Sequence, residues 1–410
     1  MTVGSDFLSP ELSHAILTAS DSQDPFYLVD LERAQISLDS FRKAFSSLDV
    51  KVAYSYKTNY IKSLVLYFHG NGCLSEVVSP FEVDLVRTYD IPDDQIIYNG
   101  PLKSLDSISS VLRSDGLINA DSLDDLQLIL SSIDSRLASS KTPRIGIRLC
   151  IDEGVNSSRF GILASNDNIR TLKSLFDNHR VPISCIHFHY PVRSLDSFKS
   201  KVKSAFSIIK TMFPGYSGYI NLGGGFPSPV SEELRSQIDP EFLLRDISEY
   251  GEALFSLASE YDLLSNSFIL EPGTALAANS LHLVGSVLSL NKRQDYTIVN
   301  TNLSKTMTGG LKSSVHYPFI HLTDSLSKKD SCYILSGFTC VESDVISPFR
   351  RGSLPMKNDK IVFPDIGSYS FVFKPSFITG SISTYVWDGN VLRLASRPQL
   401  AEDINALFLA

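Results

Sequence analysis

Lys57 is the residue of this chain whose type and position point most directly to chemistry. It follows the short apolar run Val52-Ala53-Tyr54-Ser55-Tyr56, which is typical of a buried strand. A lysine at the C-terminal end of such a strand holds its amine at the rim of the core. Because desolvation disfavours the ammonium form, this amine could lose its proton near neutral pH and form a Schiff base with an aldehyde. The alternative is a lysine that simply reaches from the strand end into water.

Two histidines stand near the end of another predicted strand, in His187-Phe188-His189-Tyr190-Pro191. Since side chains alternate along a strand, His187 and His189 share one face, and His189 lies nearer the end. A neutral imidazole there could stack on a flat cofactor ring. A satisfied core histidine is the alternative. Metal binding is not favoured, because no carboxylate or cysteine lies in the local spacing.

Three consecutive glycines follow the predicted strand Gly218 to Leu222, in Leu222-Gly223-Gly224-Gly225-Phe226-Pro227. They remove every side chain from a turn where backbone N–H groups could converge on a phosphate. A glycine-rich turn can also serve tight geometry alone.

Glu271-Pro272-Gly273-Thr274 follows the apolar run Phe268-Ile269-Leu270. A carboxylate at the rim of a core needs a partner, because burying it unpaired is costly. The protonated nitrogen of a pyridine ring would serve, and would let pyridoxal phosphate accept electrons. An ordinary salt bridge is the alternative.

Two further stretches in the last third of the chain could contribute to a site. Gly337-Phe338-Thr339-Cys340-Val341-Glu342-Ser343-Asp344 places a thiol and two acids in a turn-rich stretch. In Gly367-Ser368-Tyr369 the tyrosine hydroxyl could donate to a phosphate oxygen. Each signal is weak alone, since a small cysteine is more often a core residue than a catalytic one.

The composition bounds the class of protein. Of 410 residues, 43% are hydrophobic and 20% charged, which is typical of a globular chain. A formal net charge of -8 with no run of lysine or arginine argues against nucleic acid or an anionic membrane and favours a small-molecule partner. The five cysteines are odd in number and share no metal-ligand spacing. With no signal-peptide pattern and no long apolar run, we expect a cytoplasmic protein with reduced thiols.

Eight short apolar runs alternate with amphipathic helical segments such as Ser122 to Ile133 and Leu195 to Met212. This alternation predicts an α/β fold with a parallel (β/α)₈ barrel of the TIM type over residues 30–275, and an open doubly wound sheet is less favoured. Short alternating runs after residue 276 predict a C-terminal antiparallel β domain formed by 1–29 and 276–410. The barrel runs are Val52 to Tyr54, Glu76 to Val78, Gln95 to Tyr98, Gly116 to Asn119, Arg144 to Cys150, Ile183 to His189, Gly218 to Leu222 and Ser267 to Leu270.

In their order along the chain, these motifs resemble those of fold type III pyridoxal-phosphate enzymes, the ornithine and diaminopimelate decarboxylase group, whose fold is also that of alanine racemase. Glu76-Val77-Val78-Ser79 with Glu82, Ser158-Arg159-Phe160-Gly161 and His316-Tyr317-Pro318 resemble intervening motifs of that group. The similarity runs from about Tyr27 to Phe373. It implies decarboxylation of the α-carboxylate of an amino acid or an amino-acid conjugate.

The resemblance also implies roles for single residues. Lys57 matches the Schiff-base lysine, His189 the residue stacked on the pyridine ring, and Glu271 the partner of the ring nitrogen. Cys340 matches the thiol that returns a proton, and in that group it acts across a homodimer interface on the neighbour's Lys57. The other cofactor positions are Glu76, Gly223, Gly224, Gly225, Gly273, Thr274 and Tyr369, and the substrate positions are His316, Tyr317, Glu342 and Asp344.

Several positions depart from the group's pattern, among them Pro80-Phe81, which replaces a pair of small or polar residues. Thr274 stands where an arginine usually helps to hold the phosphate, and Val192 stands where a phosphate-binding serine is common. Val341 occupies the place of the acid that reads the distal ammonium of a diamino substrate, which argues against ornithine, lysine or diaminopimelate. Two alternatives stay open: an amino-acid racemase or epimerase, and a binding protein that keeps the fold without catalysis.

Overall fold

Strands and helices alternate through the first two thirds of the chain, and strands dominate the rest. The computed structural model describes residues 8–18, 24–133, 142–151, 158–190, 193–241, 243–309, 315–323, 330–374 and 376–408. The strands are β1 Phe26–Asp30, β2 Val50–Ser55, β3 Leu74–Val77, β4 Ile96–Tyr98, β5 Leu117–Ala120, β6 Arg144–Cys150, β7 Ile162–Leu163, β8 Ile183–His187, β9 Tyr219–Asn221, β10 Phe268–Leu270, β11 Leu281–Lys292, β12 Thr297–Thr301, β13 Ile320–Leu322, β14 Asp330–Ser336, β15 Val345–Ser353, β16 Lys360–Phe363, β17 Ser383–Trp387 and β18 Leu392–Ser396.

Most of the helices connect successive parallel strands. They are α1 Pro10–Thr18, α2 Leu31–Ala44, α3 Lys62–Gly70, α4 Pro80–Thr88, α5 Leu105–Arg113, α6 Leu123–Ser131, α7 Asn166–His179, α8 Leu195–Met212, α9 Glu232–Ile238, α10 Ile247–Glu260, α11 Thr274–Ala277, α12 Ser370–Phe373 and α13 Ala401–Asn405. No helix among the described residues is long and apolar enough to cross a membrane.

Eight parallel strands close into a barrel. The order is β2, β3, β4, β5, β6, β8, β9 and β10, and pairing of β10 with β2 completes the ring, with Leu270 opposite Val52. The short strand β7 adds to β6 outside the ring. The predicted (β/α)₈ barrel is therefore confirmed, and each of its eight predicted strands overlaps an observed one.

Local sequence explains where the barrel helices begin. Eight of them follow a serine or aspartate whose side chain accepts a hydrogen bond from a backbone N–H of the first turn, which satisfies a donor that has no partner within the helix. These capping residues are Asp30, Ser79, Ser104, Ser122, Ser165, Ser194, Ser231 and Asp246.

The second sheet is built mainly from the C-terminal part of the chain. Its main path is β15-β14-β12-β11-β1-β17-β18, and β16 pairs with β11 and β13. Most pairs are antiparallel, as predicted, but β1 with β17 and β12 with β14 are parallel, so the sheet is mixed. The N-terminal strand β1 lies inside this sheet, between β11 and β17.

The second sheet is fixed against the mouth of the barrel by buried polar bonds. Asn59 Nδ2 donates to the carbonyl of Gly367 at 3.1 Å, and the N–H of Tyr369 donates to the carbonyl of Thr58 at 3.0 Å. Gly367 is required for this approach, because a β-carbon there would lie 1.6 Å from the carbonyl oxygen of Ala277. The turn that carries Lys57 is thus held by both parts of the chain.

Candidate active site

Lys57 lies in a single 3-10 turn, Tyr56–Thr58, directly after β2. Its Nζ atom donates to Oε2 of Glu76 at 2.5 Å. Glu76 stands on the next strand, β3, opposite Ser55, whose hydroxyl donates to the same carboxylate oxygen at 2.6 Å. The Glu76 side chain is 1% exposed and the Lys57 side chain 34%, so the carboxylate is buried while the lysine borders the open space of a cavity.

The pKa of Lys57 differs from the sequence prediction. Burial by itself lowers the pKa of the amine, but the carboxylates of Glu76 and Glu271 outweigh burial and raise the pKa above its usual value. Desolvation alone therefore does not free this amine of its proton near neutral pH, contrary to the prediction from the sequence. The reason is the carboxylate that the neighbouring strand brings within hydrogen-bond distance.

Glu271 is the second buried carboxylate of the site. Its Oε1 atom accepts from Asn221 Nδ2 at 2.6 Å and from Asn99 Nδ2 at 2.8 Å. Asn99 in turn accepts at its Oδ1 from Asn119 Nδ2 at 2.8 Å. Oε2 lies 3.6 Å from His187 Nε2, which is too long for a good hydrogen bond, and both ring nitrogens of His187 have no partner among the described residues.

His189 is held as a neutral imidazole. Its Nδ1 atom accepts the backbone N–H of Gly224 at 3.1 Å, which requires that this nitrogen carry no proton. Burial, together with the positive charges of Lys57 and Arg148, lowers the pKa of His189 well below its usual value. The predicted neutral ring is therefore what this geometry provides.

His187, His189 and Glu271 also place three possible metal-ligand atoms within 4.8 Å of one another. The sequence argument against metal rested on the absence of a nearby carboxylate in the local spacing, and the fold supplies one from β10. The same three groups suit a planar, cationic ring equally well, with the carboxylate for the ring nitrogen and an imidazole for the ring face.

The glycine loop after β9 must be made of glycine. Gly223 and Gly225 have φ values of +64° and +98°, which side chains rarely adopt. A β-carbon on Gly223 would lie 2.5 Å from Nδ1 of His189, and one on Gly224 would lie 2.9 Å from the carbonyl of Glu271. The loop is therefore packed directly against the histidine and the carboxylate.

The turn around Gly273 follows β10 and lies beside this loop, because β10 pairs with β9. A β-carbon on Gly273 would lie 2.1 Å from Oγ1 of Thr58, which is buried and has no hydrogen-bond partner among the described residues. Ser368 Oγ is also buried and has no hydrogen-bond partner among the described residues. The adjacent Tyr369 has a φ of +61°. Unpaired buried hydroxyls beside a loop without side chains fit an oxyanion such as a phosphate.

A cavity of about 520 Å³ opens above Lys57. This volume suits a small cofactor with a small substrate. Arg148, which pairs with Asp121 at 3.3 Å, lies in its wall. The lining residues are Lys57, Glu76, Val78, Asn99, Gly100, Pro101, Arg148, Ser158, Arg159, Phe160, His187, His189 and Glu271.

The remaining predicted residues do not line this cavity in the single chain. Cys340 and Glu342 are exposed on the loop between β14 and β15. Asp344 is buried, and its carboxylate accepts from Thr339 Oγ1 at 2.6 Å and from the N–H of Lys305 at 2.8 Å. The predicted substrate positions His316 and Tyr317 are adjacent, and the backbone N–H and carbonyl of His316 both form hydrogen bonds with the Gln237 side chain. Val192 lies outside the described residues.

Sequence reasoning missed the amides that hold Glu271 and the arginine in the cavity wall. Asn99, Asn119 and Asn221 each stand at the C-terminal end of a barrel strand, where barrel chemistry is concentrated. That position is the signal in the sequence that could have indicated them. It is a weak signal, because an isolated asparagine has no pattern of its own.

Comparison with known proteins identifies the family of this chain. The family model for the pyridoxal-binding domain of pyridoxal-dependent decarboxylases matches residues 31–278. Diaminopimelate decarboxylase of Methanocaldococcus jannaschii is 21% identical over 381 residues, which cover 87% of this chain and 84% of that protein. Antizyme inhibitor 2 of Xenopus laevis is 23% identical over 400 residues, which cover 90% of this chain and 83% of that protein.

The fold has the same relatives. The crystal structure of diaminopimelate decarboxylase from M. jannaschii in complex with L-lysine matches with a TM-score of 0.82 at 19% identity, over 97% of this chain and 94% of that chain. Barrel, second sheet and site together define a pyridoxal-phosphate enzyme. The chain belongs to the pyridoxal-dependent decarboxylase family, and it is an amino-acid decarboxylase that releases CO₂ and leaves an amine. This membership favours decarboxylation over the racemase or epimerase alternative.

Proposed function

We propose that this decarboxylase acts on an amino acid or amino-acid conjugate other than a plain diamino acid. The observation that carries the proposal is the loop after Cys340. Val341, 44% exposed, follows the cysteine directly, and both carboxylate oxygens of Asp344 accept hydrogen bonds within the protein. Only Glu342 on this loop offers an exposed carboxylate for a distal ammonium group.

The residues around the barrel mouth suit pyridoxal phosphate. Lys57 would hold it covalently, Glu271 would keep a proton on the ring nitrogen, and His189 would cover one ring face. The Gly223–Gly225 loop, Gly273, Thr274 and Tyr369 would surround the phosphate. When bound, the cofactor accepts the electron pair that departing CO₂ leaves on the α-carbon.

The protein's own groups would manage the proton. Glu76 holds the Lys57 amine in its charged form, so Lys57 can carry a proton at Nζ after a substrate amine has displaced it. Cys340 is the other proton source in the proposal. Its exposure, away from the cavity of its own chain, supports a homodimer in which it reaches the site of the partner.

The proposal extends to the organisation of the protein. We propose a barrel domain over residues 30–275 and a β domain over residues 1–29 and 276–410, in a cytoplasmic homodimer that binds a small molecule and no nucleic acid. The net charge of -8 supports the last point.

A CO₂-release screen on the purified protein loaded with pyridoxal phosphate tests the proposal. The panel is lysine, ornithine, diaminopimelate and a set of amino-acid conjugates with N- or side-chain substituents. We expect turnover with a conjugate and poor turnover with the three diamino acids. Efficient turnover of any of the three would overturn the substrate proposal.

The alternative of a binding protein without catalysis rests on two features, Thr274 in place of the expected arginine and the similarity to a relative named antizyme inhibitor. Family membership favours the decarboxylase over this alternative. A visible absorption band from cofactor attached to Lys57, together with CO₂ release from any member of the panel, would exclude it.

A further inference from the structure

Lys201 is a buried lysine directly beneath the glycine loop. It lies on the inner face of α8 and is 4% exposed. Its Nζ atom donates to the carbonyl of Leu222 at 2.8 Å and to the carbonyl of Gly224 at 3.3 Å. Its partners are thus two neutral oxygens of the loop after β9.

These two bonds fix the direction of the loop's N–H groups. In a planar trans peptide the C=O and the following N–H point in opposite directions, and none of the described peptide bonds is cis. Because the carbonyl of Gly224 points toward Lys201, the N–H of Gly225 points away from it. The N–H groups of Gly223 and Gly224 already donate to Asn221 and His189. Gly225 therefore offers its N–H to the side of the loop opposite Lys201.

Within the described part of the chain Lys201 is not directly paired with a carboxylate, and the charge of Glu271 acts on it only from a distance. No carboxylate there lies within 4.0 Å of its Nζ. Burying an ammonium group with only neutral partners is costly. Burial accordingly lowers the pKa of Lys201 to about 7. An anion on the other side of the loop would compensate this cost.

We propose that Lys201 is the cation of the cofactor's phosphate site and acts through the glycine loop. It is a positioning residue: it turns the Gly225 N–H toward the phosphate and supplies a positive charge behind the loop. In this way it supplies part of the positive charge that an arginine at the position of Thr274 would provide to the phosphate. The inference depends on the cofactor and not on the proposed substrate, so the two can fail separately.

The test compares cofactor binding with and without the phosphate group. Lys201→Met removes the ammonium and keeps the length of the side chain, and Lys203→Met, an exposed lysine on the same helix, is the matched control. Apoprotein is titrated with pyridoxal phosphate and with pyridoxal, which lacks the phosphate, and each Kd is read from the visible absorption band. No substrate is present, so decarboxylation does not enter the result.

We expect Lys201→Met to weaken pyridoxal phosphate binding by about 10- to 100-fold, the usual range for a lost interaction with a charged group. Pyridoxal binding should change by less than about threefold, and Lys203→Met should behave as wild type. An equal loss for both ligands would show that Lys201 only supports the fold. Unchanged binding of both would show that it has no part in the phosphate site.

A second variant keeps the proposal testable if the first does not fold. Lys201→Gln retains an N–H donor for one loop carbonyl and removes the charge, and circular dichroism reports whether each variant is folded. The same phosphate-specific loss is expected for it. If Lys201→Gln folds and binds both ligands as tightly as wild type, the charge is unnecessary and the proposal is wrong.

Discussion

The Nζ atom of Lys57 lies 2.5 Å from Oε2 of Glu76, on the adjacent barrel strand. Glu76 also accepts from Ser55 and from Asn99, so its carboxylate has little freedom to turn away. A buried carboxylate at this distance keeps the lysine charged. The Lys57 amine is therefore held as an ammonium group, and it must lose a proton before it can attack an aldehyde.

Glu76→Gln should consequently speed cofactor attachment near neutral pH. Removing the carboxylate removes a group that raises the pKa of Lys57, so a larger fraction of the amine is neutral. Stopped-flow absorbance of apoprotein mixed with pyridoxal phosphate, repeated across pH, measures the rate. We expect its pH midpoint to move to lower pH. An unchanged midpoint, or one at higher pH, would mean that Glu76 does not control this amine.

Lys57→Ala should abolish turnover and leave the fold intact. The variant can still bind the cofactor without a covalent bond, so borohydride treatment should label wild type at residue 57 and leave the variant unlabelled. Lys51→Ala is the control, because Lys51 lies on the same strand but is exposed, and its amine donates to the Tyr219 hydroxyl at 2.9 Å. Wild-type turnover in Lys57→Ala would disprove the central assignment.

Lys57→Ala and Cys340→Ala subunits should complement each other when mixed. If Cys340 acts on the partner's site, a mixed dimer contains one site with both residues intact, and activity should return toward about one quarter of wild type for random subunit exchange. The control variant Cys332→Ala changes the other exposed cysteine of the β domain, and it should be active by itself, without being mixed with another variant. A mixture that demonstrably exchanges subunits and stays inactive would count against a shared site.

The strand-end position explains which site residues the sequence reveals. Lys57, His189, Glu271 and the glycine loop each follow an apolar strand, so the pattern of the barrel alone places them at one mouth. The bonds between them are a different matter. Asn99 and Glu271 are 172 residues apart, and nothing in either local stretch predicts their contact.

The partners of Lys201 could not be predicted from the sequence either. In the sequence it is one of several lysines in the amphipathic helix α8, and nothing in that pattern indicates its partner. Its partners are backbone carbonyls, which have no residue type that a sequence pattern could reveal. The parallel pairs of the second sheet were missed for a related reason, since alternation predicts strands and not the direction in which they pair.

Glu82→Gln should stabilise the protein at alkaline pH. Burial raises the pKa of Glu82 from 4.5 to about 7. A raised folded-state pKa contributes stability that is fully present below pH 4.5 and lost as pH rises through about 7. At roughly 1.4 kcal/mol per pKa unit, the ionised carboxylate of Glu82 lowers the free energy of unfolding of the wild type by about 3 kcal/mol above about pH 7.

Glutamine keeps an oxygen that can accept the Val78 N–H, which now donates to the carboxylate at 2.7 Å, and it carries no charge. Urea unfolding at fixed protein concentration should give similar midpoints for wild type and variant at pH 4.5 and a higher midpoint for the variant at pH 8. A difference that is the same at both pH values would show that ionisation of Glu82 is not its cause.

Val341→Asp should gain activity on lysine and ornithine. The carboxylate would stand next to Cys340 on an exposed loop, where a distal ammonium could reach it across the proposed dimer interface, and a charge-assisted hydrogen bond there is worth roughly 1.5 to 3 kcal/mol. We therefore expect kcat/KM for these two amino acids to rise by about one to two powers of ten. Val341→Asn is the matched control, because it has nearly the same shape without the charge and should give a much smaller gain. Wild-type kinetics decide the premise: a kcat/KM near roughly 10⁴ M⁻¹s⁻¹ for lysine or ornithine, an ordinary value for an enzyme on its own substrate, would mean that the missing acid does not exclude them.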